Sequence, residues 1–147
     1  MPESIVIVAA RRTPIGGFQG IFSPVSATQL GSFAAAAALA DSGLSPDAID
    51  EVIFGCVLPA GLGQAPARQA AVGAGIAMSV PATTVNKMCG SGMKAVMLAA
   101  DQIRAGSART ILAGGLESMT NAPYLMLKAL SVYRMGHARI LHHMFYD

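Results

Sequence analysis

At 147 residues the chain is long enough to bury a core and would ordinarily form one domain. Its formal net charge of +2, with no basic cluster, excludes the electrostatic footprint of a nucleic-acid binder. Charged residues make up 12% against a usual share of roughly 25%, and 53% of residues are hydrophobic, which implies extensive burial, subunit or domain contacts included.

The longest uncharged stretch, residues 13–40, is interrupted by Pro14, Gly16, Gly17, Gly20, Pro24 and Gly31, and its apolar centre is too short to span a bilayer. No basic region precedes an apolar run at the start, so no signal peptide is read. Two cysteines, Cys56 and Cys89, without such a signal point to a reduced, cytoplasmic chain.

In chain order, Ile5-Val6-Ile7-Val8 within residues 4–10 predicts a central strand buried on both faces. A Pro/Gly loop follows, whose Gly16-Gly17-Phe18-Gln19-Gly20 has the wrong spacing for a dinucleotide site. Ser26 with Gln29 forms a capping box ahead of a small-residue stripe, Leu30, Phe33, Ala34, Ala37 and Ala38, which predicts close packing of a helix that stops at Gly43. Ser45-Pro46 opens a helical turn, and residues 51–58 read as a second buried strand with Cys56 in the core. Residues 59–64 are a loop, and Pro66 starts a helix to about Ala74, on which Arg68 reads as solvated or ion-paired rather than as a phosphate ligand.

Thr83-Thr84-Val85 predicts a short buried strand, and Met93, Val96, Met97, Ala100 and Ile103 recur at helical spacing. Cys89 therefore stands where a strand turns into a helix, flanked by Gly90, Ser91 and Gly92. Free amides and the positive end of the macrodipole at a helix start favour an anion, and the same amides can stabilise a carbonyl oxygen that becomes negative under attack. Gly90 and Gly92 let backbone approach closely, and Ser91 is expected to satisfy a free amide of the first turn. A buried cysteine acting as a small hydrophobe is the plain alternative, which the Gly-Ser-Gly flank disfavours.

The helix is expected to end near Gly106, and residues 109–113 predict a fourth strand that ends at Gly114-Gly115. The alternation implies an α/β sheet of mainly parallel strands with ligands at their carboxyl edge. Glu117 at that edge is a candidate acid or base, or a structural carboxylate holding loop amides; the second reading is preferred. From Asn121 the pattern loses its period, and His137, His142 and His143 lack the i, i+4 spacing of a metal pair, so they read as surface histidines.

Four motifs carry a resemblance to a known family: Ala10-Arg11-Arg12-Thr13-Pro14-Ile15-Gly16, Gly61-Leu62-Gly63-Gln64-Ala65-Pro66-Ala67-Arg68-Gln69, Asn86-Lys87-Met88-Cys89-Gly90-Ser91-Gly92-Met93-Lys94-Ala95 and Ala113-Gly114-Gly115-Leu116-Glu117-Ser118-Met119. Together they resemble the thiolases, the acetyl-CoA acetyltransferases, in the family's order. The resemblance implies the first part of an α/β/α layered core domain over residues 1–120, with residues 121–147 making tetramer contacts and beginning a loop domain. It also implies Cys89 as the nucleophile of a reversible condensation of two acetyl-CoA to acetoacetyl-CoA and CoA, with coenzyme A thioesters as substrates, no metal and no further cofactor. A homo-oligomer, dimer or tetramer, is implied too. The family's activating His, second Cys and water-binding Asn have no matching motif in this sequence, so the chain is expected to be inactive alone. A longer-chain 3-ketoacyl-CoA thiolase, a β-ketoacyl synthase and a redox-sensing or scaffold chain are the alternatives.

Overall fold

A computed structural model describes residues 4–127 and 135–146. Ser26 begins the first helix as predicted: its hydroxyl accepts from the Gln29 amide while the Gln29 side chain accepts from the Ser26 amide, and helix α1 (Ala27–Ser42) ends at Gly43 with φ +67°. A single 3-10 turn, Pro46–Ala48, capped by Ser45, leads into strand β1 (Glu51–Gly55). Helix α2 (Pro66–Gly73), strand β2 (Ala82–Val85), helix α3 (Ser91–Arg104) and strand β3 (Ile111–Gly115) complete the layered unit.

The sheet has order β2-β1-β3, all parallel, with Val52 opposite Ala82 and Leu112. Val52 and Phe54 of β1 join the cluster under α1 and α2, whereas Ile53 packs on Ala95 and Ala99 of α3. Alternate residues of one central strand thus feed both faces, giving the α/β/α layering that the family resemblance implies. Asp50 and Glu117 tie the two ends of the β1–β3 pair. The Asp50 carboxylate accepts from the Arg109 and Thr110 amides, 2.7 and 3.0 Å, and these bonds hold its carboxyl below the usual carboxylate range.

Several expectations are corrected. Residues 4–10 form no strand; Ile7 is 78% exposed and its neighbours Val6 and Val8 are exposed with it. A β-branched run has strand propensity, but a strand is held by its neighbour's ladder, and no described strand pairs with this one. An Arg11–Asp41 ion pair ties the segment to the end of α1 instead. In α1 the buried positions are Ala27, Gly31, Ala35 and Leu39, not the predicted stripe, and Phe33 faces outward. The reason is close helix packing: a Cβ at Gly31 would lie 3.2 Å from that of Ala70 on α2.

A similar rotation affects α3. Its buried face is Ser91, Ala95 and Ala99, while Met93, Val96 and Met97 of the predicted apolar stripe face outward, Met93 at 73% exposure. Small side chains win the sheet-facing side because the strand ends beneath are glycines that admit the helix closely. Strand β2 is an edge and only half-buried. Strand β3 starts two residues later than predicted, since Asp50 engages the Arg109 and Thr110 amides, and it includes Gly114 and Gly115.

Beyond this unit, β4 (Tyr124–Leu125) and β5 (Leu141–His142) form a separate antiparallel pair. His142 stacks edge-on to Tyr124 with ring centroids 5.0 Å apart, and its Nδ1 accepts from the Met144 amide. His142 and His143 are thus half-buried rather than surface residues, because this small element folds over them; His137 is exposed. Residues 128–134 of the aperiodic segment that starts at Asn121 lie outside the described residues.

Candidate active site

Strands β1, β2 and β3 end together at Gly55, Val85 and Gly115. From Val85 the chain reaches α3 through five residues that contain the exposed Cys89. The turn is built from local bonds. Asn86 Oδ1 accepts from the Met88 amide at 2.9 Å, and the Gly90 and Ser91 amides donate to the carbonyls of Lys87 and Met88 at 3.1 and 3.0 Å. Met88, just before Cys89, has φ +49°, a left-handed conformation that costs a side-chain-bearing residue on the order of 1 kcal/mol.

Ser91 holds the turn in that shape. It is 5% exposed; its Oγ accepts from the Lys87 amide at 2.8 Å and donates to the Met88 carbonyl. The expectation that Ser91 serves an amide of the helix's first turn is therefore corrected: the amide belongs to the loop before the helix. With Gly90 as N-cap lacking a side chain, the serine one position inside the helix reaches backward. Cys89 lies two residues before Ser91, so it sits at the mouth of the helix N-terminus rather than in its first turn.

The first turn of α3 rests directly on the strand ends. A Cβ at Gly55 would come 2.6 Å from the Gly92 nitrogen, and one at Gly115 would come 3.2 Å from the Gly92 Cα. These contacts exclude any side chain at Gly55 without displacement of α3. Sequence inspection missed Gly55; a glycine closing an otherwise β-branched strand was the available signal.

Glu117, just beyond β3, takes the structural role preferred for it. Oε2 accepts from the Val57 amide at 2.7 Å, Oε1 from the Leu58 amide at 3.1 Å, and the Cys56 thiol points at Oε1 with sulfur and oxygen 3.7 Å apart. Cys56 is 2% exposed, as expected of a core residue. Burial pushes its thiol up to about 11, and the neighbouring Glu117 charge adds to the rise. Thr120 and Asn121 extend the clasp: Thr120 Oγ1 accepts from the Gln19 amide, and Asn121 Nδ2 donates to the Val25 carbonyl. Arg68 has no ion pair among the described residues, and no three His, Cys, Asp or Glu side chains there come together as a metal set.

A parallel three-stranded sheet covered by helices on both faces, with an exposed cysteine on the strained turn at its carboxyl edge, places the chain among the layered α/β proteins, which gather their loops at that edge. Residues 5–147 match the family described as "Thiolase, N-terminal domain". The chain is 52% identical over 146 residues to acetyl-CoA acetyltransferase 2 of Arabidopsis thaliana, covering 99% of this chain and 36% of that protein. It is 50% identical to an acetyl-CoA acetyltransferase of Pseudomonas aeruginosa over 99% of this chain and 37% of that one. Against acetyl-CoA acetyltransferase B, mitochondrial, of Xenopus laevis it is 53% identical over 89% of this chain and 31% of the relative. The chain belongs to the thiolase family, and it spans about a third of the length of the curated relatives it matches.

Proposed function

We propose that this chain carries the nucleophilic part of an acetyl-CoA acetyltransferase, with Cys89 as the acyl acceptor. The exposed thiol on a fixed turn at the helix mouth is the observation that carries the reading. In the condensing direction the Cys89 sulfur attacks the thioester carbonyl of a first acetyl-CoA; the carbon–sulfur bond to coenzyme A breaks and coenzyme A leaves. A base then removes a methyl proton from a second acetyl-CoA. The carbanion attacks the acetyl-cysteine carbonyl, a carbon–carbon bond forms, and the Cys89 thiolate departs from acetoacetyl-CoA. A cysteine thioester matches the coenzyme A thioester in energy, which keeps both directions open.

The positive end of α3 supports negative charge arising at this point. The base, a second proton-transferring cysteine and a water-binding asparagine are assigned to chain beyond these residues, so turnover requires more than residues 1–147. Acetyl specificity is supported by the names of the relatives at about 50% identity, which also weigh against the longer-chain and β-ketoacyl synthase alternatives. The separate β4–β5 pair supports a boundary near residue 121, after which the chain would enter a tetramer-contact segment and a loop domain. Two free cysteines accord with a cytoplasmic setting, and outward apolar side chains with a homo-oligomer; no helix among the described residues is long and apolar enough to cross a membrane.

Intact mass before and after acetoacetyl-CoA, followed by peptide mapping of the intact protein, tests the proposal. One acetyl group on Cys89, absent from C89A, is the expected result. A protein modified at Cys89 only by peroxide would instead be the redox sensor, and an acetyl group elsewhere would remove the assignment.

A further inference from the structure

We infer that Glu117 is a positioning residue for the acyl-accepting cysteine, acting through the end of β1 and the first turn of α3. The inference rests on the reading of Cys89 as the acyl acceptor, and each link from Glu117 to that residue is a contact in the structure.

The carboxylate uses its two oxygens on two successive amides, Oε2 on Val57 and Oε1 on Leu58. That fixes the chain as it leaves β1. Immediately upstream, the Cys56 amide donates to the Val85 carbonyl at 3.0 Å, and the Leu116 amide donates to the Gly55 carbonyl at 2.9 Å. The end of β1 is thereby wedged between the last residue of β2 and the residue beside Glu117 itself. Gly55 has no slack on its remaining side, where the backbone of Ser91 and Gly92 occupies the space a Cβ would need. Ser91 in turn holds the Lys87 amide and the Met88 carbonyl on either side of the strained residue that precedes Cys89.

Glutamine is nearly the same size as glutamate but cannot reproduce this arrangement. It offers one oxygen and one NH2 group, so one of the two amides would face a donor and lose its acceptor. The segment 56–58 must then move, and a wedge with no slack passes the movement to Ser91 and the Cys89 turn. Attack on a bound thioester needs the sulfur held at the correct distance and angle, whereas alkylation by a small freely diffusing reagent needs only an accessible thiol.

The test is a comparison of rates on the intact protein, wild type, E117Q and E117D. Cys89 acetylation by acetoacetyl-CoA, Cys89 alkylation by iodoacetamide and Cys56 alkylation are measured together, the buried Cys56 reporting any loosening of the fold. In E117Q we expect acetylation to slow by about tenfold or more, Cys89 alkylation to stay within about twofold, and Cys56 to remain protected. E117D, which keeps the charge on a shorter stem, should fall between E117Q and wild type; should E117Q fail to fold, E117D decides. Acetylation at the wild-type rate, or a loss that only follows exposure of Cys56, overturns the inference and leaves the Cys89 reading standing. A wild-type protein that is not acetylated on Cys89 removes both.

Discussion

Two cysteines in one short chain have been given opposite environments. Cys56 follows the central strand with its thiol against a carboxylate, whereas Cys89 is exposed one residue after a strained backbone position. The alkaline limb of stability should record the first. In the unfolded chain a thiol ionises near the ordinary value of about 8.5, while the folded Cys56 keeps its proton up to about 11. Between those values the folded state binds the extra proton, so stability is complete below the window and falls as pH rises through it. Denaturant unfolding from pH 8 to 11 should show that fall, and C56A should flatten it; an identical slope in C56A would contradict the assignment. Ser91 makes the companion case. Its hydroxyl is the acceptor of the Lys87 amide, and S91A leaves that amide without one at a cost of about 1–3 kcal/mol. Both a lower Tm and slower acetylation of Cys89 are expected. S91A that acetylates at the wild-type rate would show that the turn holds its shape without the staple.

At the scale of elements, the sheet is tied at both ends by carboxylates that differ in one respect. Asp50 accepts both of its amides on the same oxygen, Oδ2, whereas Glu117 divides its two amides between two oxygens. An amide can replace the first arrangement and not the second. D50N keeps an acceptor for both amides but loses its charge, so its Tm should fall between wild type and D50A, and calorimetry of the pair settles the point. Because the bonds hold the Asp50 carboxyl low, its contribution is present above the ordinary carboxylate range and fades as acid protonates it. The end of β1 gives a sharper expectation. G55A places a methyl group against the Ser91–Gly92 backbone, and helix α3 must shift or β1 must fray, at a cost of about 1–3 kcal/mol or more. G43A, at an open C-cap with φ +67°, meets no neighbour and should cost only about 1 kcal/mol.

These elements also mark what was legible in the sequence. The capping box of α1, the Pro66 start of α2, the strand-to-helix placement of Cys89 and the core position of Cys56 are local signals and appear where they were expected. The buried faces of α1 and α3 were not legible, because α3 turns small residues inward and its methionines outward, and α1 buries Ala27, Gly31 and Ala35 beside a single large residue, Leu39, while Phe33 faces outward. Hydrophobicity alone points the other way; the cause is close approach at Gly31, Gly55 and Gly115, set by residues distant in sequence. The Ser91 bonds and the Glu117 clasp were only partly visible for the same reason. Residue types suggested an acceptor, but only the fold decides which amides arrive.

For the molecule as a whole, low charge and outward apolar side chains have one consequence. Met93, Val96 and Met97 form an exposed row along α3, Val6, Ile7 and Val8 are exposed in the segment before Arg11, and both edges of the three-stranded sheet lack a strand partner among the described residues. Apolar surface of this kind is covered by further chain or by another copy. As a polypeptide of residues 1–147 alone, the protein should therefore self-associate at micromolar concentration, with a mass above 15.0 kDa by light scattering. The location of the adhesive surface can be tested separately. V96K and M97K place charge on side chains that are already exposed, so they should spare the fold while reducing association. I7K makes the same trial of the exposed N-terminal segment. A monomer at all concentrations, or aggregates unchanged in every one of these variants, would show that neither surface holds the copies together.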